Sequence, residues 1–391
     1  MNEERIDSFK LIMEKEGLDA LVLRLPENVL FLSGYWPMFG FSFLLFPKDQ
    51  KPVLIIGECE KQEAQAEVWD ADCITYKYGT IEAENAYTSV EGIIKKLINS
   101  RNWKKIGFEG NFEIVSSSWN TAEVLVPAKT TMRLYREVFG EKILVDVTDI
   151  LYRERGRKTL YEVGKIRIAN EIAAIGLRTF FERVDTGAGG VEIVAAVESA
   201  ITWAGTGYKG SRRVRGFAQV ATGKEETSRA YRPNEITTRR KLQPGDLAML
   251  ELAVVADGFW SDRTRVRVAG KPDDRQLEVY EAVRKAQEKA MALSRPGIGV
   301  REVDSEARAL ISKAGYGNAF PHITGHGVGF GYHEPIPTVS PKSDDIFEPG
   351  MICTVEPGIY IPDLGGIRIE DNIVITENGC EILGPFDTRI G

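Results

Sequence analysis

Residues 321–337 read PHITGHGVGFGYHEPIP and hold all three histidines of the chain, His322, His326 and His333. Four glycines, Gly325, Gly327, Gly329 and Gly331, alternate through the middle. Glycine at every second position is incompatible with an ordinary helix and lets backbone approach something closely. An imidazole held in such a stretch serves as a metal ligand or a proton carrier. One histidine in a glycine-rich turn could be an accident. Three of three, followed downstream by the acidic segments VEPGIY and IRIEDN, point to a built site.

Working outward, several carboxylates sit inside apolar runs, where an unpaired charge is expensive. Glu251 lies in AMLELAVV and Asp262 in FWSDRTR, on either side of Asp257-Gly258. That dipeptide is a strong hairpin signal, and the spacing places the two acids on facing strands with side chains on one face. Glu356 in CTVEPGIY and Glu370 in IRIEDN complete a set of four carboxylates, which His326 joins. Such a cluster repels itself unless cations or protons neutralise it. Two divalent ions bridged by carboxylates, with a bridging water as nucleophile, are the natural solution. Oxygens plus one nitrogen favour manganese, iron or cobalt over a thiolate-rich zinc site.

Composition sets the frame. A chain of 391 residues exceeds what one core usually supports, so two domains are expected. A net charge of −7 excludes nucleic acid and anionic membrane as expected partners, because phosphate recognition needs a basic face. Arg212, Arg213 and Arg215 form a short basic run that reads as a solvated surface, with an anionic substrate group as the alternative. Cys59, Cys73, Cys353 and Cys380 lie far apart, as reduced thiols of a cytoplasmic protein would. The opening MNEERIDSFKLIMEKEG reads as a charged amphipathic helix and not as a signal peptide.

Along the chain, Ile6, Phe9, Ile12 and Met13 share a helical face that Gly17 ends. LDALVLRL, FSFLLF and PVLIIG read as strands, Asn28 as the cap of a short helix, and a further helix is expected from about Ser117. These make an α/β domain over residues 1–150. A loop of aromatics around Trp36 either packs on its own domain or caps a pocket, its own or a partner subunit's. Residues 151–391 form the second domain. It starts with a long helix over 158–183 and a second helix from about Val191. Helices over 274–293 and 300–314 lie among strands at 216–220 and 247–255, the strand after Gly258, and alternating strands near the end. The expected class is α+β, an antiparallel sheet covered by helices.

LQPGDLAMLELAVVADGFWSDRTR, TGHGVGFGYHEP, VEPGIYIP and GGIRIED occur in the order of the pita-bread family of prolidase, aminopeptidase P, methionine aminopeptidase and creatinase, which the chain resembles. GLDALVLRLPENVLFLSGY is similar to the creatinase-type first domain. The resemblance implies a smaller creatinase-like α/β N-terminal domain before a pita-bread catalytic domain. It implies Asp262, His326, Glu356 and Glu370 as ligands of two divalent ions (manganese, cobalt, iron or zinc). It implies Glu356 and His333 as catalytic groups, and His322, His333, Arg368 and Trp36 as substrate contacts. A homodimer acting on a dipeptide or another small molecule is expected with it.

Two positions depart from the family pattern. Glu251 stands where metal-binding members have aspartate, so it is a ligand, a nucleophile or a substrate anchor. In ATGKEETSRAYRP the usual asparagine and histidine positions are Glu225 and Ala230. That histidine contacts substrate in peptidases and serves creatinases as acid and base, so its loss argues against creatinase itself. Three readings follow: a dinuclear-metal hydrolase resembling Xaa-Pro peptidases; a metal-independent hydrolase of a small cyclic amidine or amide, similar to ectoine hydrolase, with Glu251 attacking; and a non-enzymatic binding protein.

Overall fold

The computed structural model describes residues 2–38, 41–78, 85–99, 101, 103–110, 128–140, 143–232 and 237–391. The chain divides into two compact units, Met1–Arg155 and Gly156–Gly391. In the first unit the order is α1 (Glu3–Glu16), β1 (Ala20–Leu23), α2 (Pro26–Ser33), β2 (Phe43–Pro47), β3 (Val53–Gly57), α3 (Lys61–Glu67), β4 (Asp72–Tyr76), α4 (Ala86–Asn99), β5 (Ile106–Phe108), α5 (Ala128–Phe139), β6 (Leu144–Asp146) and α6 (Thr148–Gly156), which reaches the unit boundary. Among the described residues the strands form one six-stranded sheet in the order β4-β3-β2-β1-β5-β6. The three central strands β1, β2 and β3 are antiparallel neighbours, and the flanking pairs are parallel.

Two local expectations change in this unit. Asn28 does not cap α2: the N-cap is Leu25, and Pro26 occupies the first turn. Proline suits that position because its missing N–H would be unpaired there anyway. The Asn28 amide instead donates to buried Glu109 (3.0 Å) and accepts from Arg155 (2.8 Å). The helix expected from about Ser117 begins outside the described residues, and α5 starts at Ala128.

The second unit continues with α7 (Leu160–Arg183), α8 (Gly190–Gly205), β7 (Val214–Thr222), α9 (Gly223–Thr227), β8 (Leu247–Ala256), β9 (Phe259–Val268), α10 (Asp274–Leu293), α11 (Val300–Lys313), β10 (Gly325–Gly327), β11 (Glu334–Val339), β12 (Ile352–Val355), β13 (Gly358–Ile361), β14 (Gly365–Arg368), β15 (Asp371–Thr376) and β16 (Gly379–Ile382). The long helix starts later than 158 because Thr159 caps it and Glu162 closes a reciprocal capping box. Leu160, in its first turn, points outward at 87% exposure.

Three sheets hold the described strands of this unit: β7-β8-β9, β11-β10-β12-β15-β16 and the hairpin β13-β14. Strand alternation on β8 explains the layers. Ala248, Leu250, Leu252, Val254 and Ala256 pack with Ile172, Leu177 and Phe180 of α7 and Ile193, Val197 and Ile201 of α8. Leu247 and Met249, on the other face, pack with Val266 and Val268 of β9 and with α10 and α11. Further along that second face the apolar pattern stops, and the site begins.

Candidate active site

Asp257 and Gly258 both have positive φ, 50° and 89°, as a two-residue hairpin turn with the twist of its strands requires. The turn sets the register: Glu251 opposes Thr264, and Ala253 opposes Asp262. Glu251 and Asp262 are therefore diagonal neighbours on one face, continuing the row that Met249 and Val266 start. Both Glu356 and Glu370 were expected within strands. Each stands instead at a break between strands, after β12 and before β15 respectively. Pro357 has no N–H for a ladder, so the chain leaves the sheet there and makes the β13-β14 hairpin before rejoining it.

His326 is carried by β10. Gly325 and Gly327 flank it because a side chain would collide with neighbouring backbone: a Cβ on Gly325 would lie 2.0 Å from the Thr354 carbonyl oxygen, and one on Gly327 2.5 Å from that of Ile336. The close approach read from the glycines is thus an approach of backbone to backbone. It lets the His326 N–H donate to Thr354 Oγ1 (3.0 Å), and that hydroxyl donates to Glu356 Oε1 (3.0 Å).

Proton positions follow from the partners. His326 Nδ1 is 2.9 Å from the Gly327 carbonyl, which can only accept, so Nδ1 carries the proton and Nε2 bears a lone pair. That lone pair meets Asp262 Oδ2 at 3.4 Å and Glu356 Oε1 at 3.5 Å. Burial, then the neighbouring His333, holds the His326 imidazole well below its ordinary range, so it does not supply a proton to these contacts. Burial, then the charge of Glu370, raises Glu356 well above the usual carboxylate range. Glu370 is raised too, by burial first, against the opposing pull of Arg368 and Thr264. Its Oε1 is buried without a hydrogen-bond partner among the described residues.

These atoms gather into three overlapping groups: Asp262, His326 and His333; His326, Glu356 and Glu370; and Glu251, Asp262 and Glu370. Within each group the donor atoms lie within 4.8 Å of one another. A lone pair, an orphaned carboxylate oxygen and carboxyls that resist ionisation by themselves fit a divalent cation, which would accept all of them at once. Cys353 is buried on β12 and does not join the groups, so the donors are oxygen and nitrogen.

The remaining expected residues separate into two places. His333 lies beside His326 with its ring tilted, centroids 4.1 Å apart. Arg368 lies against Glu251 Oε2, donates to Thr264 Oγ1 (2.9 Å) and to Tyr360 Oη (2.8 Å), and reaches the Ala230 carbonyl (3.2 Å). Position 230 thus contributes a backbone acceptor. His322 does not enter the carboxylate groups. Its Nδ1–H donates to the Ile323 carbonyl and its Nε2 accepts from Tyr360, so hydrogen bonds run from Arg368 through Tyr360 to His322. Trp36 belongs to the first unit, half-buried after Tyr35. Of the basic run, Arg212 and Arg215 are exposed and Arg213 is half-buried.

Sequence reasoning missed Thr264, Thr354, Tyr360 and Tyr332. Thr264 was within reach, since strand alternation puts it on the face of Asp262. Tyr332 directly precedes His333, and its hydroxyl is 2.8 Å from Glu251 Oε1.

Residues 164–377 match the model of metallopeptidase family M24, and residues 5–156 that of the creatinase/prolidase N-terminal domain. An Xaa-Pro dipeptidase of Pyrococcus furiosus is 30% identical over 388 residues, 99% of either chain. The crystal structure of the prolidase from Pyrococcus horikoshii OT3 covers 99% of both chains with a TM-score of 0.80 at 29% identity. That of an X-Pro aminopeptidase from Thermotoga maritima superposes with a TM-score of 0.80 at 27% identity, covering 97% of this chain and 99% of its own. The family uses divalent metal, in keeping with the donor groups. No helix among the described residues is long and apolar enough to cross a membrane. Neither the amidine-hydrolase reading nor the binding-protein reading is favoured by these relatives, and the chain belongs to metallopeptidase family M24, a hydrolase of peptide C–N bonds with a creatinase/prolidase N-terminal domain.

Proposed function

We propose that the chain is an Xaa-Pro peptidase, hydrolysing the bond before proline in dipeptides or short peptides with two divalent ions. The observation that carries this reading is the lone pair of His326 Nε2, set between Asp262 and Glu356 with no proton of its own to offer them. Proline specificity is inferred from the relatives, named as Xaa-Pro dipeptidases and an X-Pro aminopeptidase.

Asp262, His326, Glu356 and Glu370 would hold the ions, with Glu251 contributing beside Asp262 and Glu370. When bound, the ions supply Lewis-acid charge and lower the pKa of a bound water. Manganese, cobalt, iron and zinc all accept this oxygen-rich donor set. Glu356 takes a proton from the attacking water and returns it to the leaving amine. Thr354 fixes the Glu356 carboxylate from one side. His333, beside His326, stabilises charge developing on the substrate carbonyl oxygen. His322 and Arg368 complete the substrate contacts in this reading, and the aromatic loop of Trp36 is the proposed contact of a homodimer.

The test is metal content of protein purified without chelator, combined with hydrolysis of proline-containing dipeptides. Close to two equivalents of a divalent metal, and turnover abolished by chelation, support the proposal. No bound metal and no response to added metal would overturn it. Glu251→Asp separates the remaining role: a ligand tolerates the shorter acid, whereas a nucleophile withdrawn by one methylene loses turnover. A single species at the monomer mass in sedimentation at micromolar concentration would exclude the homodimer.

A further inference from the structure

The reaction outlined above leaves Tyr332 without a part. Its ring is buried, packed against His333 (centroids 4.4 Å), Trp260 (6.2 Å) and His326 (6.5 Å). Its hydroxyl lies between two acids, 2.8 Å from Glu251 Oε1 and 3.4 Å from Asp262 Oδ1. A phenol has one proton, and the shorter, stronger contact takes it. Thr264 has the same choice to make. Its hydroxyl is 2.6 Å from Glu370 Oε2 and 3.1 Å from Glu251 Oε2, so its proton goes to Glu370. Glu251 is then held by one donor at each oxygen, Tyr332 at Oε1 and the Arg368 guanidinium at Oε2.

We propose that Tyr332 is a positioning residue for metal, clamping Glu251 so that its carboxylate is presented beside Asp262 and Glu370. A glutamate side chain has more rotamer freedom to lose than an aspartate, and an ordered donor at its tip removes that freedom before an ion arrives. Each carboxylate oxygen has two acceptor sites, so Oε1 keeps one after accepting from Tyr332. Outer hydrogen-bond partners of metal ligands commonly change affinity by about 10–100-fold. The inference rests on the divalent-metal reading and assigns Tyr332 to one ion, the one nearest Glu251.

The experiment is calorimetric titration of Mn2+ into the metal-free full chain, for wild type, Tyr332→Phe, Glu251→Gln and the double variant. Phenylalanine keeps the ring packing and removes only the hydroxyl. The expected result is about tenfold weaker binding of one ion in Tyr332→Phe, with the other ion unchanged. Glu251→Gln should weaken the same ion, and adding Tyr332→Phe to it should cost nothing further, because the tyrosine acts through Glu251. Unchanged affinity in Tyr332→Phe, unchanged affinity in Glu251→Gln, or a loss that persists in the double variant would each overturn the assignment. A wild type that binds Mn2+ normally confines such a failure to Tyr332, whereas a wild type that takes no Mn2+ overturns the metal reading and this inference together.

Discussion

His326 Nε2 lies 3.5 Å from Glu356 Oε1, and the ring's only proton is on the other nitrogen, bonded to Gly327. Without an ion, a proton on Glu356 relieves this contact, and burial already favours one there. An ion arriving in the cluster displaces such protons. Metal uptake at pH 7 is therefore expected to release protons, read as a dependence of the binding enthalpy on the ionisation enthalpy of the buffer. His326→Ala should lower metal affinity by at least about 100-fold, the upper end of what outer partners alone contribute. It should also remove the metal-dependent rise in melting temperature, since an ion that binds only the folded state at 100 times its Kd adds about 2.7 kcal/mol.

Lys158 and Glu334 form an ion pair of 2.9 Å with both side chains almost wholly buried. Glu334 follows His333 in the chain, and its Oε2 also accepts from the Phe330 N–H (3.3 Å), so the pair fixes the loop that carries His333 and Tyr332. Removing one partner of a buried pair leaves an uncompensated charge, at a cost of about 3–5 kcal/mol. Lys158→Met should lose roughly that much in urea unfolding. Replacing both, as Lys158→Met with Glu334→Leu, should restore much of the stability. It should still lower kcat if the pair serves to aim the loop.

His322 gives a pH dependence with a definite sign. Burial lowers its pKa from 6.5 to about 4, with the hydrogen bond to Ile323 opposing. The unfolded chain then binds a proton between those values that the folded chain does not. Stability from this group is full above about pH 6.5 and is lost as pH falls toward 4, amounting to about 2 kcal/mol at pH 5. Urea unfolding in chelator at pH 7 and pH 5 should show this loss in wild type. His322→Gln should be flatter by about that amount. Equal slopes in the two proteins would contradict the neutral imidazole that the Tyr360 hydrogen bond implies.

The sequence was most informative where one local rule dictates geometry. Asp257-Gly258 announced the hairpin, and period-two alternation placed Glu251 and Asp262 on one face. The helices at 274–293 and 300–313 followed their apolar periodicity. What stayed hidden was pairing between distant segments. Nothing near Asn28 reveals that its amide serves Glu109, 81 positions away, nor does the sequence around Thr159 show Lys158 turning back to Glu334. Tyr332 was visible in the histidine stretch, but an aromatic there reads as core until the register brings Glu251 to its hydroxyl.

Gly325 tests whether the glycines of that stretch serve packing or motion. Its missing Cβ would sit 2.0 Å from the Thr354 carbonyl oxygen, which is backbone and cannot swing aside. β10 would have to move away from β12, and with it the His326 N–H that Thr354 Oγ1 accepts. Overpacking of this kind typically costs about 1–3 kcal/mol. Gly325→Ala should therefore lower the melting temperature by several degrees, and metal affinity should fall with it because His326 moves with its strand. Gly379 is the control: its added Cβ meets nothing within 4 Å, so Gly379→Ala should stay within about 0.5 kcal/mol of wild type. A Gly325→Ala protein as stable as the control, with wild-type metal affinity, would show that the strand tolerates displacement and that the glycine is there for mobility.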